Sequence, residues 1–378
     1  MSSATRYSLT INDVPAPASV LSAVKQIDVE DHASMADMMR VRLATAVRTD
    51  GNGWTVLDDT IFTRLTKLRL SVAVGATPLA PLLEAYVVDI NTTFASAPGG
   101  SEIIVTAMDP TVLMHLEEKV KPWPDMADSD VASAIFSDAA YRFSAVVEPT
   151  GLSHQENDHT LLQRGTDIQF LQKLAARNGY ECYVEINGDG VVQGHFHPPR
   201  PEGAPQGTLT VNSGSATNVD KFRARYDMLG PTVAQGATID ADSGDPQPGD
   251  AADATHASGM GAQATTPADR PRKVLLSGLG MTQSAELQRY AQSVVDRSSW
   301  SIHAEGELNT VGYGAVLRAK APVMVRGVGQ QFSGRYYVVR VLHTITGDGN
   351  WTQKFTLHRN AIGLTKREDF RSDDALAS

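Results

Sequence analysis

The sequence predicts an α+β fold, mainly β, with β-rich regions at both ends and a mixed helix-plus-hairpin region between them. Three observations carry this. Runs of period-two alternation crowd the first hundred residues, helix-capping signals cluster between 109 and 180, and a long β-branched and aromatic run, Tyr336 to Ile345, appears near the end.

Tyr7-Ser8-Leu9-Thr10-Ile11 alternates polar and apolar residues and stops at the turn-forming Asn12-Asp13. Ile27 to Glu30, Arg40 to Leu43, Leu68 to Val74, Ala85 to Ile90 and Ile103 to Ala107 read likewise, separated by Gly, Pro, Asn and Asp. That spacing describes a small barrel or sandwich, with Ser34 to Met39 as a short helix or turn. Asp109-Pro110 opens a helix, because Asp caps it and proline fits the first turn. Val112, Leu113 and Leu116 share one of its faces, and Lys121-Pro122-Trp123-Pro124 ends it. A second helix follows from Asp128 or Ser129, with Val131, Ile135 and Phe136 at helical spacing.

A third helix begins at Thr166, which forms a capping box with Gln169, while Asp167 complements the helix dipole. Ile168, Leu171, Leu174 and Ala175 make its apolar stripe, and Asn178-Gly179 supplies a left-handed stop. The next strand puts Tyr180, Cys182, Val184 and Ile186 on one face and Glu181, Tyr183 and Glu185 on the other. Asn187-Gly188-Asp189-Gly190 turns it into Val191 to His197. Residues 241–269 hold nothing apolar larger than alanine except Met260, which predicts a linker or long exposed loop. A helix from Thr282 to Arg297, inner face Leu287, Tyr290, Ala291 and Val294, leads back to β-structure. There Tyr336 to Ile345, the turn Gly347-Asp348-Gly349-Asn350 and Trp351 to Arg359 make a hairpin. The implied division is 1–108, a first β domain; 109–210, the mixed middle; 211–299, strand, linker and helix; 300–362, a second β domain; and 363–378, a charged tail.

At 378 residues the chain accommodates about two to three domains. Apolar content of 42% with 20% charged residues describes a soluble globular protein. No run reaches the roughly 18 to 20 apolar residues of a membrane span, so no membrane insertion is expected. The start, MSSATRYSLTINDV, has neither a basic region nor an apolar stretch of a secretory signal. One cysteine permits no internal disulfide and no multi-cysteine zinc site, which favours folding in the cytoplasm. A net charge of −10 argues against specific nucleic-acid binding; the densest basic patches, Arg270 to Lys273 and Lys221 to Arg225, are short.

Chemistry finds little to hold. There is no Walker loop, no G-x-S-x-G elbow and no H-E-x-x-H. Gly312-Tyr313-Gly314 and Gly327-Val328-Gly329 sit among strands without a following helix and read as turns. Cys182 lies on an apolar face and reads as core. His195 and His197, two apart on a strand, are weak metal candidates. Zinc needs a third protein ligand, which His154 or His159 would supply only by converging from elsewhere, so a solvated pair is the expected reading. No catalytic residue, cofactor or metal is assigned.

Gln163-Arg164-Gly165-Thr166-Asp167-Ile168-Gln169-Phe170-Leu171-Gln172-Lys173-Leu174-Ala175, then Asn178-Gly179-Tyr180, resembles a family signature, QR-(E/G)-(S/T)-D-x-x-F-L-x-x-L-A-x-x-x-G. It marks phage late control protein D and the VgrG-type spike proteins, the hubs of contractile tails. Leu83 to Ile90 with Ser101 to Asp109 is similar to the strand pair closing the family's first barrel, Ala85 replacing its usual glycine. Trp123-Pro124-Asp125-Met126 fits the family's middle region. Gly329 to Val338, with Leu342-His343-Thr344, resembles the FSG-x-Y-x-V-x-x-x-x-H end of the second barrel.

The resemblance covers most of residues 5 to 362 and implies structural roles for Arg164, Asp167, Phe170, Leu171, Leu174, Gly179, Phe332, Gly334, Tyr336 and His343. It implies a baseplate hub without enzymatic activity, with a tube-like β-barrel at each end of the chain. Such hubs are homotrimers whose six barrels stack on a hexameric inner tube or tube initiator, carry a trimeric spike and meet other baseplate proteins. VgrG-type chains continue into an OB-like domain and a β-helical spike; here the spike is expected on a separate polypeptide. The particle would assemble in the bacterial cytoplasm as a phage virion tail or injection-system baseplate, and an acidic lumen would let acidic cargo slide. Alternatives are a hub or distal-tail protein of a non-contractile phage, and a metal-dependent cell-wall hydrolase using His195 and His197.

Overall fold

The alternating runs become six long strands: β1 (Thr5–Ile11), β2 (Val24–His32), β3 (Met38–Ala44), β4 (Lys67–Val74), β5 (Ala80–Thr93) and β6 (Glu102–Met108). The structure is a computed structural model describing residues 5–154, 160–239, 244–255, 260–277 and 284–365. Inward members such as Leu9, Ile27, Val41, Leu70 and Val105 are buried in one core, as a strand period of two requires. Ser34 to Met39 splits into a turn and the start of β3.

The middle region departs from expectation first at Asp109. This residue caps a 3₁₀ turn, Pro110–His115, by accepting from the Thr111 amide, where an α-helix was expected. The Lys121-to-Trp123 stretch, expected to end that helix, belongs to strand β7 (Glu118–Trp123). Then come α1 (Asp128–Phe136), β8 (Ser144–Val147), β9 (Leu161–Thr166), α2 (Asp167–Asn178), β10 (Glu181–Ile186) and β11 (Val192–His197). β7 pairs with β9, and Pro122, which has no amide to donate, is accommodated in this two-stranded ribbon. Phe136, Phe170, Leu171, Leu174, Cys182 and Phe196 share the core. Gly194 of β11 is required there, since a Cβ would lie 2.3 Å from the Phe136 ring.

Beyond it lie β12 (Thr208–Thr210), β13 (Lys221–Tyr226), β14 (Thr232–Ile239), β15 (Arg272–Leu276) and α3 (Ser284–Ser299). The chain finishes with β16 (Ile302–Asn309), β17 (Pro322–Arg326), β18 (Gly334–Thr346) and β19 (Trp351–Arg359). A helical turn, Gly329–Phe332, follows Gly327-Val328-Gly329, which the sequence reading left without one. The last β unit draws on residues ahead of the expected boundary at 300: Leu209 and Val219 sit in one core with Ile302, Val323, Tyr336, Phe355 and Leu357.

The fold is mainly β with helices added in the middle, and its dominant feature joins the two ends of the chain. β18 pairs antiparallel with β2, from Arg340 opposite His32 to Thr346 opposite Gln26. The result is a single 13-stranded sheet with the main order β13–β16–β19–β18–β2–β3–β6–β5–β4–β1. Ile345 and Trp351 from the chain's end are buried in the first core.

Residues 241–269 are not a free loop throughout. Met260 is fully buried with Tyr337 and Ala361, and Gln263–Ala264 pairs with Ala361–Ile362. The physical reason is Arg359. Its guanidinium is fully buried and donates to the carbonyls of Met260 (2.9 Å), Gln331 (3.4 Å), Ser333 (2.8 Å) and Gly363 (2.7 Å). Residues 240–243, 256–259 and 366–378, which include most of the charged tail, lie outside the described residues, as do Thr282 and the first residues of the expected α3. Arg359→Leu should therefore lower unfolding stability by about 3 kcal/mol, since buried carbonyls lose a charged donor. Denaturant titration measures this, and an unchanged midpoint would remove the arginine's role as the clasp on Met260.

Candidate functional site

Where the first β unit, the middle region and the last β unit meet, the chain buries charge. Lys320, in the segment leading to β17, is 3% exposed in its side chain. Its ammonium donates to Asp31 Oδ1 at 2.7 Å and Asp37 Oδ2 at 2.9 Å. Asp31 closes β2 and also accepts from Arg318 Nε and the Ala319 amide, both at 3.0 Å. Asp37 opens β3, accepts from the His32 amide at 2.7 Å, and through its own amide donates to Asp109 Oδ2 at 2.7 Å. Two carboxylates, Asp31 and Asp37, thus hold one ammonium from the other end of the chain, and Asp109 anchors Asp37 through its amide.

Burial alone would raise the Asp31 pKa, but the Lys320 and Arg318 charges outweigh it and hold Asp31 ionised well below the usual carboxylate range. Asp37 goes the other way. Burial raises it, and the neighbouring Asp31 and Asp109 charges add to that against the pull of Lys320. Burial would lower Lys320, yet Asp31 and Asp37 together keep it protonated beyond its ordinary range. A cation shared among acidic groups in this way is held in one position.

The middle region supplies the third wall. Lys320 lies over the Tyr183 ring at 5.0 Å, and Tyr183 stacks on His195 with ring centroids 4.5 Å apart and 7° between planes. His195 and His197 are 7% and 2% exposed, which corrects the expectation of a solvated pair. The face expected to be wet is occupied by the Tyr183 ring, which meets both histidines. His197 Nδ1 donates to the Pro198 carbonyl at 2.7 Å and its Nε2 accepts from the Tyr183 hydroxyl at 3.2 Å, so neither nitrogen is left for a metal. His195 has Glu185 Oε1 3.4 Å from Nε2, outside hydrogen-bond geometry, and burial pushes it down to about 3. No group of three or more His, Cys, Asp or Glu among the described residues is arranged to hold a metal ion. His154, the other histidine considered, is engaged by Asp128 Oδ1 at 2.9 Å and Glu286 Oε1 at 3.1 Å, tying α1 to α3; His159 lies outside the described residues. Cys182 is 7% exposed, and burial drives its thiol up to about 12.

The remaining signature residues fall into two groups. Asp167, 2% exposed, accepts from Lys119 (2.7 Å), Tyr141 (2.7 Å) and Gln163 (2.6 Å). Phe170, Leu171 and Leu174 are buried in the core of the middle region, Gly179 caps α2 at φ 69°, and Arg164 is exposed on β9. In the last β unit Phe332 is half-buried and its carbonyl accepts from the Tyr336 hydroxyl at 2.7 Å. Gly334 opens β18 at φ 129°, and His343 is fully buried, its ring 5.8 Å from Trp351. None of these shares the Lys320 cluster's direct bonds. The sequence reading missed Asp31, Asp37 and Lys320, because their partners lie some 280 positions apart, and saw Asp109 as a cap and the end of a strand pair but not as the acceptor of the Asp37 amide.

The family profile of the Alg8 N-terminal domain matches residues 86–347. No curated protein matches the chain. Among solved structures, the tail protein from Neisseria meningitidis MC58 is similar at TM-score 0.65 and 11% identity, covering 94% of this chain and 97% of that one. The 43 kDa tail protein of prophage MuSo2 from Shewanella oneidensis gives 0.66 and 12%, covering 95% and 99%. The E. coli c3393 protein, a type VI secretion system component with structural similarity to the T4 tail proteins gp27 and gp5, gives 0.55 and 11%, covering 96% and 79%. No helix among the described residues is long and apolar enough to cross a membrane.

Lys320→Met should cost about 3–5 kcal/mol in unfolding free energy at neutral pH by stranding buried carboxylates. The loss should shrink in acid, where the aspartates protonate; a loss independent of pH would assign the effect to packing instead. A second expectation concerns Glu181, which accepts from the Tyr337 hydroxyl at 2.7 Å and is raised by burial to about 7. A carboxyl raised in the fold adds stability below its unfolded pKa and loses it as pH rises through the folded one. Glu181→Gln should therefore match the parent's melting temperature near pH 4 and exceed it near pH 8. Parallel melting curves across that range would refute the assignment.

Proposed function

From the fold it shares with phage-tail and type VI secretion proteins, we propose that this chain, which belongs to the Alg8 N-terminal domain family, is a structural baseplate hub. It is of the late control protein D and VgrG type, in a contractile tail or injection system. It acts as a homotrimer in which each chain gives two tube-like barrels, one at either end. The six together adapt a hexameric inner tube to a separate trimeric spike and line the channel between them. The observation that carries this reading is the pairing of β18 with β2. It makes the two β units of one chain neighbours in a single sheet, the arrangement that alternating barrels around a ring require.

The buried Lys320 cluster fits the same role. A part that transmits contraction must keep its barrels and middle region in fixed register under load, and charges buried with their partners resist sliding more than an apolar seam does. The acidic groups here serve cohesion, and we assign the chain no catalytic step.

Mass in solution with purified tube and spike proteins tests the proposal. The expected outcome is a species of three chains that associates with both, and a strict monomer that joins neither would overturn it. His195→Phe separates the hub from the hydrolase reading, since it keeps a ring against Tyr183 while removing both nitrogens. Assembly should persist in that variant, and loss of a cell-wall-cleaving turnover in it would favour the enzyme.

A further inference from the structure

Between α2, α3 and the strands β16, β18 and β19 lies a cavity of about 870 Å³, within the size range of binding sites at domain junctions. Helix α3 presents two different faces. Leu287, Ala291 and Val295 pack with Ala234 of β14 and Leu276 of β15, while Arg289, Gln292, Ser293, Asp296 and Arg297 line the cavity. Their spacing of three, four, seven and eight is that of one helix face. This polar face, continued by Trp300, opens to solvent at the exposed Arg297.

The anionic groups there are already engaged. Asp296 accepts from the Thr255 amide and hydroxyl, each at 2.7 Å, and Glu181 accepts from Tyr337. The cations are less committed. Among the described residues the Arg297 guanidinium has no hydrogen-bond or ion-pair partner, and Arg289 makes one bond, from Nη1 to Asn178 Oδ1 at 3.1 Å. The uncommitted charge of this cavity is therefore positive in a chain of net charge −10. Trp300 and Tyr337 stand edge to face at 5.5 Å, and His303 meets His358 at 4.4 Å, giving an aromatic seat beside the arginines.

Eight helical residues separate Arg289 from Arg297 by about 12 Å along the axis, about the span of four extended residues. A strand-like segment with carboxylates four positions apart reaches both guanidinium groups while the side chain between them meets the aromatic seat. We propose that this cavity is a docking site for an extended acidic peptide segment of a partner protein.

Titration of the full chain with fluorescein-labelled Glu-Ala-Phe-Ala-Glu, followed by anisotropy, tests the proposal. Binding should weaken at least tenfold in Arg297→Glu and also in Arg289→Ala, and should fail for the Gln-Ala-Phe-Ala-Gln analogue. Arg297 holds no partner, so its variant should melt like the parent. Equal binding by parent and Arg297→Glu, or by the acidic and amide peptides, overturns the proposal. Tripolyphosphate binding the parent as tightly as the acidic peptide overturns it too, in favour of a small-anion site. The titration needs neither tube nor spike, so its failure with assembly intact leaves the hub reading standing.

Discussion

The arrangement of the molecule depends on one ammonium. Lys320 is held by Asp31 and Asp37 from the first β unit and covered by Tyr183 from the middle region, so three parts of the chain share a single buried cation. A lone charge in that place would cost several kcal/mol, and the ion pairs repay this only with close geometry and full hydrogen bonding. The 2.7 to 3.0 Å contacts from Lys320, Arg318 and the Ala319 amide supply that geometry for Asp31. An apolar seam would tolerate sliding by a residue or a rotamer. This one does not, because any shift strands at least one carboxylate.

The sheet and the cluster reinforce each other. Pairing of β18 with β2 sets a register of two residues per repeat, and a slip by one would exchange buried and exposed faces. In the observed register Thr344 donates to Asp28 at 2.8 Å and Arg340 reaches Glu30 at 2.5 Å. The same register buries Ile345 in the first core. Asp31, one residue from the end of β2, is thereby delivered to Lys320. The middle region is then fixed by β10, where Tyr183 faces Lys320 and Glu181 bonds Tyr337 of β18.

What the sequence disclosed follows from how far apart the partners lie. The α2 capping box is present, Gln169 Oε1 accepting from the Thr166 amide at 3.3 Å, and Gly179 is left-handed; each rests on residues within a turn of one another. Alternation placed the strands because side-chain direction is a local property. It could not say what covers them. His195 and His197 were expected to be wet because no third ligand adjoins them in the sequence, whereas both rings meet Tyr183 on the paired strand and Lys320, beyond 300, lies over Tyr183. Met260 looked isolated among small residues, yet Arg359, about a hundred positions on, takes its carbonyl. Asp109 was visible as a cap, and its second role, accepting from the Asp37 amide, was not.

Charged clusters also divide the labour between rigidity and access. In the Lys320 junction every carboxylate bonded to the cation is almost wholly covered, so no solute can compete for it. On the polar face of α3 the opposite holds: Asp296 is satisfied from within the chain while Arg297 is left open. Were that arginine needed for cohesion, folding would have placed a carboxylate against it, as it did for Arg177 and Asp128 nearby. An unmatched cation beside a matched network marks the point where the chain's own interactions stop and those with another molecule begin.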